Sequence, residues 1–370
     1  MRIGLIDVDG HNFPNIPLMK ISAWHKQNGD SVEWYDPMFS GHMDKVYMSK
    51  VFGFTPDYQY PIDADEIIKG GSGYCISLEH DTIPKPIFSE RGGVLTVNKD
   101  YENRNGIWLP CMREVFDKSK DHDLPYEIEH IYPDYSIYYD RIPEVKETAY
   151  GFLTRGCPRG CFFCHVEAKE GRASRKVADL SEFWNGQKNI VLCDPNILAC
   201  KQWKDLFQQL IDSKAMIDIN QGLDIRLTTT EATEMLLQMN IKNIHFAWDK
   251  YEDINIVVPK FERFKEMTQI DYRKLTVYVL VNFNTTHEQD LERIYTLRDL
   301  GYSPYVMIYN KDDFVVKDKN GQPIRMKSLN ILLTKYTMQQ IEHFKKCWAM
   351  QRWVNNNMIF RSCDKFEDYR

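Results

Sequence analysis

The sequence predicts an α/β protein in two parts: a strand–helix–strand domain at the N-terminus, then six successive β/α units from Thr148 onward, closed by a helical extension. Three observations lead there. Short apolar runs alternate with helix-spaced amphipathic stretches, the pattern of parallel strands joined by crossover helices. Clusters of Gly, Pro, Asn and Asp punctuate the runs as turns. A loop with Cys157, Cys161 and Cys164 follows the first strand of the second part in C-x3-C-x2-C spacing, at the strand end where β/α enzymes carry their chemistry.

In the N-terminal domain, taken as residues 1–125, Arg2–Asp7 (RIGLID) reads as an apolar strand. Ile16, Met19, Ile21, Ala23 and Trp24 then recur at helical spacing over Ile16–Asn28, and Gly29 ends that helix. Val32–Tyr35 returns as a strand, which makes the opening Rossmann-like. Lys45–Lys50 and Asp65–Lys69 read as the third and fourth strands. The fourth runs into Gly70-Gly71-Ser72-Gly73, whose spacing is that of a tight turn and not of a dinucleotide fingerprint. Pro125–Pro143 is rich in Tyr and Pro and reads as a connector, with residues 126–147 as the linker; its tyrosines pack on the second domain or cover a substrate opening.

The second part, residues 148–311, has strands expected at Thr148–Leu153, Asn189–Cys193, Met216–Ile219, Asn243–Ala247, Leu275–Val281 and Pro304–Tyr309. Helices fall between them. Asp179 with Glu182, Thr228 with Glu231 and Thr285 with Glu288 have the capping-box spacing. In residues 312–370, Asp312–Pro323 is polar, with Lys319-Asn320-Gly321-Gln322-Pro323 as a turn, and predicts a hairpin or loop. Tyr336–Trp353 carries Met338, Ile341, Phe344, Trp348 and Trp353 on one helical face. Trp348, Trp353 and Phe360 read as core, and Asn355–Arg370 as a closing helix or tail.

Composition narrows the class. A hydrophobic share of 43% is that of a globular protein, and 13% aromatic residues suits large cores or cofactor pockets. No signal core or apolar run of membrane-spanning length is present, so the cytoplasm is the expected address and no membrane partner is expected. Nine cysteines, scattered apart from the loop trio at Cys75, Cys111, Cys193, Cys200, Cys347 and Cys363, fit a reducing compartment and no disulfide framework. A net charge of −6 gives no overall positive field for nucleic acid. The local cluster of Arg155, Arg159, Lys169, Arg172, Arg175 and Lys176 is either solvated surface or an aid to an anionic substrate.

Three thiolates on one loop can ligate three irons of a [4Fe–4S] cube and leave the fourth open. An open coordination position separates a catalytic metal centre from a structural one. Zinc is the alternative, with His165 as the near fourth ligand, adjacent to Cys164 where a short loop strains to deliver both. Gly156, Pro158 and Gly160 shape the backbone around a bulky cofactor, and Phe162 and Phe163 shield it. Cys193 and Cys200 read as small buried hydrophobes, so a single cluster is expected.

Cys157-x3-Cys161-x-Phe163-Cys164, with an aromatic residue before the third cysteine, resembles the signature of the radical S-adenosylmethionine (radical SAM) superfamily. The resemblance implies that SAM chelates the unligated iron and that the reduced cluster cleaves it to methionine and a 5′-deoxyadenosyl radical, which abstracts hydrogen from a substrate. It also implies a partial (β/α)6 barrel of TIM type and an electron donor such as flavodoxin or ferredoxin. Under that resemblance Asp194 and Asn196, after the second strand of the barrel, lie where the family contacts the methionyl amine; the common Gly-Gly-Glu form is absent. Arg226 is the candidate grip on the methionyl carboxylate, with a salt bridge to Asp224 or Asp249 as the equal alternative. Gln221 and Asp224 are candidates for SAM or substrate contacts, and Asn282 for the ribose or adenine. Asp249, Asn284 and Asn310 also stand at strand ends. No catalytic residue is assigned, and the substrate is not identified.

The N-terminal domain resembles the small α/β domain that precedes the barrel in cobalamin-dependent radical SAM enzymes. Asp9-Gly10-His11-Asn12-Phe13-Pro14 aligns with a D-x-H-x-x-G motif, except that Pro14 stands where glycine is expected. Cobalamin is therefore a possible second cofactor, and a cobalamin-dependent methyltransferase an alternative function. A nucleic-acid-modifying radical SAM enzyme and a non-catalytic metal-binding scaffold are the others.

Overall fold

The computed structural model describes the chain except for His11, residues 79–86, 89–93, 97–100, 105–106, 111–113 and 121–122, Phe162, Asn284, residues 319–321 and Arg370. The expectations placed on His11, Cys111, Phe162, Asn284 and the Lys319-Asn320-Gly321 turn lie outside the described residues. The chain is mixed α/β with parallel sheets, and it divides into two compact units. The first comprises Met1–Thr82, Met112–Gln221 and Gln238–Ile241; the second comprises Ile83–Cys111, Gly222–Leu237 and Lys242–Arg370.

In the first unit, β1 (Arg2–Asp7), α1 (Ile16–Gln27), β2 (Ser31–Trp34), β3 (Met43–Ser49) and β4 (Ala64–Gly70) follow in order. The four strands are parallel and arranged β2-β1-β3-β4, so the sheet reverses direction of growth beside β1. Alternation along β1 explains its two faces: Ile3 and Leu5 pack with Leu18 and Ile21 of α1, whereas Ile6 packs with Tyr35, Val46 and Met48. Asn15 caps α1 by accepting from the Leu18 N–H at 3.2 Å, which satisfies one of the helix's orphan donors.

The connector is structural. The hydroxyl of Tyr138, 1% exposed, donates to Asp7 at 2.6 Å and accepts from the Asn15 N–H at 3.1 Å. Tyr135 donates to the Phe183 carbonyl at 2.8 Å and accepts from the Tyr150 N–H at 3.0 Å. These two tyrosines are buried brackets, so of the two roles open to the connector they take the packing one.

The β/α alternation stands where it is expected. Next come β5 (Thr148–Gly151), β6 (Asn189–Leu192), α2 (Trp203–Ser213) and β7 (Met216–Leu223), with β5, β6 and the part of β7 in the first unit parallel neighbours. Then come α3 (Thr230–Gln238), β8 (Asn240–Ala247), α4 (Ile254–Thr268), β9 (Leu275–Val281), α5 (His287–Asp299) and β10 (Ser303–Ile308). In the second unit the part of β8 from Ile244 onward, β9 and β10 are parallel neighbours. Ile244 and Phe246 of β8 are buried, and Phe246 meets Phe261 and Phe264 of α4 edge to face. The largest departure among the starts of β5 to β10 is β8, which begins at Asn240, three residues before the expected Asn243.

The capping signals were right in kind and off by one residue in two of three places. Asp179 and Glu182 form the expected box, around a 3-10 turn. For α3 the side chain that accepts is Thr229, from the Ala232 N–H at 3.1 Å. For α5 the box is Thr286 with Gln289. In each case consecutive threonines offer two registers, and the packing of the helix selects one.

The C-terminal extension begins with a hairpin, β11 (Val315–Lys317) against β12 (Pro323–Met326). Helix α6 (Met338–Val354) opens on a Thr337–Gln340 capping box and buries Ile341, Phe344, Cys347, Met350 and Trp353; α7 (Asn357–Ser362) follows. Trp353 and Phe360 are core as expected, with ring centroids 4.9 Å apart, whereas Trp348 is half-buried and Met338, at the start of the helix, is exposed. Gln351 and Asn355 donate to the Val306 carbonyl at 2.9 and 3.0 Å, and Asn355 accepts from the Val306 N–H at 2.7 Å. The end of α6 thus satisfies backbone groups that the edge strand β10 would otherwise present. No helix among the described residues is long and apolar enough to cross a membrane.

Candidate active site

The cysteine loop leaves β5 under the control of a buried carboxylate. Asp194, just after β6 and 1% exposed, accepts from the Leu153 N–H at 3.1 Å, from the Thr154 hydroxyl at 2.6 Å and from the Thr154 N–H. Burial pushes its acid up to about 6, against the Thr154 and backbone donors and the Arg155 charge, which favour the anion. The bonds tie the end of β6 to the first residues of the loop, so Asp194 sets where the chain starts toward Cys157.

Beyond Thr154 the backbone needs glycine. Gly156 has φ +87°, and a Cβ there would lie 2.3 Å from the Ala173 carbonyl oxygen; Gly160 has φ +57°. The Gly156 N–H donates to Glu170 at 2.9 Å, the Cys157 N–H to the Gly171 carbonyl at 3.1 Å, and the Cys164 N–H to the Cys161 carbonyl at 3.0 Å. A short antiparallel pair, Thr154–Arg155 with Arg175–Lys176, closes the loop at its base. Cys157, Cys161 and Cys164 are half-buried and none is in a disulfide. His165 begins the helical turn Val166–Glu170.

Asn196 is the neighbour of the first cysteine. It is 3% exposed, and its Nδ2 lies 3.7 Å from the Cys157 sulfur. Its Oδ1 is buried and has no hydrogen-bond partner. Sequence reasoning found this residue from its place after a strand; the orphaned oxygen is visible only in three dimensions.

The basic residues of the loop are largely compensated. Arg155 pairs with Glu170 at 2.8 Å and stacks on Phe152, Arg172 pairs with Glu167, and Lys176 pairs with Asp179 at 2.5 Å. Of the two readings for this cluster, ordinary paired surface fits these three. Cys193 and Cys200 are buried as expected, and burial pushes the Cys193 thiol up to about 12.

In the second unit Arg226 takes the salt-bridge arrangement. Its Nε donates to Asp224 at 2.7 Å and its Nη1 to Asp253 at 2.6 Å. Asp253 is a partner that the sequence did not single out, since it arrives from the turn before α4. Asn282 has φ +62° at the end of β9, and its Nδ2 donates to the Tyr309 carbonyl at 3.0 Å. Gln221, in the first unit, is exposed near the end of β7.

A further set escaped the sequence reading. On the strand face opposite Phe246, His245 stacks on Tyr278 at 5.3 Å and 13° between planes, and Tyr278 meets Tyr305 edge to face at 5.8 Å. Parallel register places Tyr278 beside Tyr305. The available signal was period-two alternation: His245, Tyr278 and Tyr305 each stand between two buried apolar residues.

No family model matches the chain, and no curated protein matches it. Among solved structures it is similar to Streptococcus suis SuiB bound to S-adenosylmethionine, with a TM-score of 0.35 and 10% identity over 60% of this chain and 54% of that chain. It is also similar to SuiB bound to the precursor peptide SuiA, with a TM-score of 0.35 and 10% identity over 64% of this chain and 55% of that chain. The chain spans about half the length of these structures. A likeness of this depth carries no argument, and the reading of the site rests on the loop residues themselves.

Proposed function

We propose that this chain is a radical SAM enzyme: Cys157, Cys161 and Cys164 hold a [4Fe–4S] cluster, SAM takes the open iron, and the six β/α units form a partial (β/α)6 barrel around them. The observation that carries the reading is Asn196. A buried amide oxygen without a donor costs about 1–3 kcal/mol; this one belongs to the amide whose Nδ2 lies 3.7 Å from the Cys157 sulfur, and the methionyl ammonium of SAM would supply the missing N–H. The donor set fits the group, since thiolates are the ligands of such clusters and three on one loop leave one iron open. When bound and reduced, the cluster supplies the electron that splits the SAM sulfonium.

The chain's own residues position and enclose. Asp194 fixes the root of the loop, Gly156 lets it turn, and the Arg155–Glu170 pair braces it. Asp224 and Arg226, braced with Asp253, stiffen the segment after β7 and act on SAM through that brace. Gln221 and Asn282 remain the candidates for polar contacts to SAM, and the His245–Tyr278–Tyr305 face is the apolar wall for the adenosyl group or substrate. The electron donor is of flavodoxin or ferredoxin type and the setting cytoplasmic.

A second ligand has a place in the N-terminal sheet. A crevice of about 380 Å³ opens at the carboxyl end of β1, lined by Asp7, Tyr35, Tyr58 and Arg141 among others, at the switch point where such sheets bind ligands. Cobalamin is one occupant, although Asp9 of the motif already accepts from the Val51 N–H and the Thr55 hydroxyl. A cobalamin absorption band retained on desalting is the test of that addition.

Anaerobic reconstitution tests the main reading. Iron and sulfide should be incorporated, and dithionite with SAM should give 5′-deoxyadenosine from the wild type and none from Cys161→Ala. Undiminished product from that variant, or stoichiometric zinc on the loop without iron, overturns the proposal in favour of the scaffold.

A further inference from the structure

Helices α5 and α6 bring together three ligand-type side chains far in sequence from the cysteine loop. Asp290 lies in the first turn of α5; His343 and Cys347 stand one turn apart on α6, and so on one face of that helix. A carboxylate oxygen, a ring nitrogen and the thiol sulfur all lie within 4.8 Å of one another. We propose that this cluster is a binding site for a single divalent ion of the zinc type, which clamps α6 to α5.

Geometry supports an ion and not merely a hydrogen bond. His343 Nε2 lies 3.5 Å from the Cys347 sulfur; a tetrahedral zinc with usual Zn–S and Zn–N lengths sets those atoms about 3.6 Å apart. A thiol–imidazole hydrogen bond accounts for that pair alone and leaves the second oxygen of Asp290 without a partner. Asp290 is 0% exposed, and its Oδ1 accepts from the Thr285 hydroxyl at 2.6 Å and from Arg293 at 2.5 Å. Its Oδ2 is buried with no hydrogen-bond partner. The Thr285 and Arg293 bonds are of the kind that orient a ligating carboxylate from behind, and the remaining oxygen is a ligand without an ion.

Ligand chemistry selects the class. One sulfur, one nitrogen and one oxygen suit zinc, whereas magnesium and calcium want oxygen cages and a cluster wants several thiolates. A cysteine–histidine nucleophile is excluded by access, since Cys347 is 0% exposed. His343 is half-buried, which leaves its side as the entry route.

The test uses the full chain with Cys157, Cys161 and Cys164 replaced by Ala, so the loop takes no ion and the outcome is separate from that of the SAM reaction. After treatment with chelator, added Zn²⁺ should be retained on desalting at a single equivalent and should raise Tm. Co²⁺ should give a thiolate charge-transfer band. His343→Gln and Cys347→Ser, each introduced into this background, should lose the retained metal and the Tm rise while keeping the metal-free circular dichroism spectrum. If Cys347→Ser fails to fold, His343→Gln alone decides. No retained zinc, or retention unchanged in the folded variants, overturns the proposal.

Discussion

Replacing Asp194 by Asn separates the stability of the fold from the order of the cysteine loop. At neutral pH the carboxylate is an anion accepting from Leu153 and Thr154. Burial raises its acid from the usual range to about 6, which corresponds to about 3 kcal/mol of penalty for the buried charge. The neutral acid is the form the folded state favours, so this contribution is present below the ordinary carboxylate range and is lost as pH rises through about 6. Asn removes the penalty at pH 7 but forfeits at least one charge-assisted bond of about 1.5–3 kcal/mol, and sets an NH₂ against backbone donors. The two effects cancel to within about 1–2 kcal/mol. The urea midpoint of Asp194→Asn at pH 7 should therefore lie close to wild type. On acidification to pH 4 the wild type should gain about 2–2.5 kcal/mol relative to the variant. Asp249 and Asp290, raised similarly by burial, are common to both proteins and drop out of the comparison. Iron content after reconstitution, which reads the loop directly, should fall well below wild type. Wild-type iron and 5′-deoxyadenosine yield together with an unchanged pH dependence would refute the assignment of Asp194 as the root of the loop.

Three further outcomes are expected. Arg293→Met should destabilise by about 3–5 kcal/mol in urea unfolding, because Arg293 and Asp290 are both 0% exposed and the guanidinium also serves the Trp248, Asp249 and Leu280 carbonyls; a loss below about 1 kcal/mol contradicts this. Gly156→Ala adds a Cβ 2.3 Å from the Ala173 carbonyl oxygen at φ +87°, so iron incorporation should collapse while the urea midpoint moves little; a normal iron content counts against the loop geometry. Asn196→Ala should raise the SAM dissociation constant roughly 10- to 150-fold, the equivalent of one hydrogen bond to a charged group; equilibrium binding to the reconstituted protein measures it, and unchanged affinity removes Asn196 from the SAM site.

The strands were legible because burial writes itself as period. RIGLID and LTVYVLV are apolar runs that only a sheet between layers accommodates, and both are strands in the structure. The triplet of cysteines was legible because spacing on one loop is a local property. Arg226 was half legible: a guanidinium near Asp224 could be seen, but Asp253 comes from a different loop and its approach depends on how α4 starts. The capping threonines were ambiguous because adjacent residues of one type encode two registers, and local sequence holds no information on which the core prefers. The stack of His245 on Tyr278 was missed because it joins neighbouring strands some thirty positions apart, and strand pairing is not written in either strand.

What the sequence by itself determined is thus the alternation of strand and helix from Thr148 onward, the position of the strands of the two parallel sheets to within a few residues, and the cysteine loop at the end of β5. These follow from periodicity and from backbone chemistry over short windows. The short strands between Ile76 and Phe116 were not foreseen. What only the tertiary structure decided is which buried polar atoms end without a partner: Oδ1 of Asn196, whose amide nitrogen lies near Cys157, and Oδ2 of Asp290, whose carboxyl group lies near His343 and Cys347. An unmet hydrogen bond is a property of everything packed around an atom, and that surrounding comes from segments far apart along the chain.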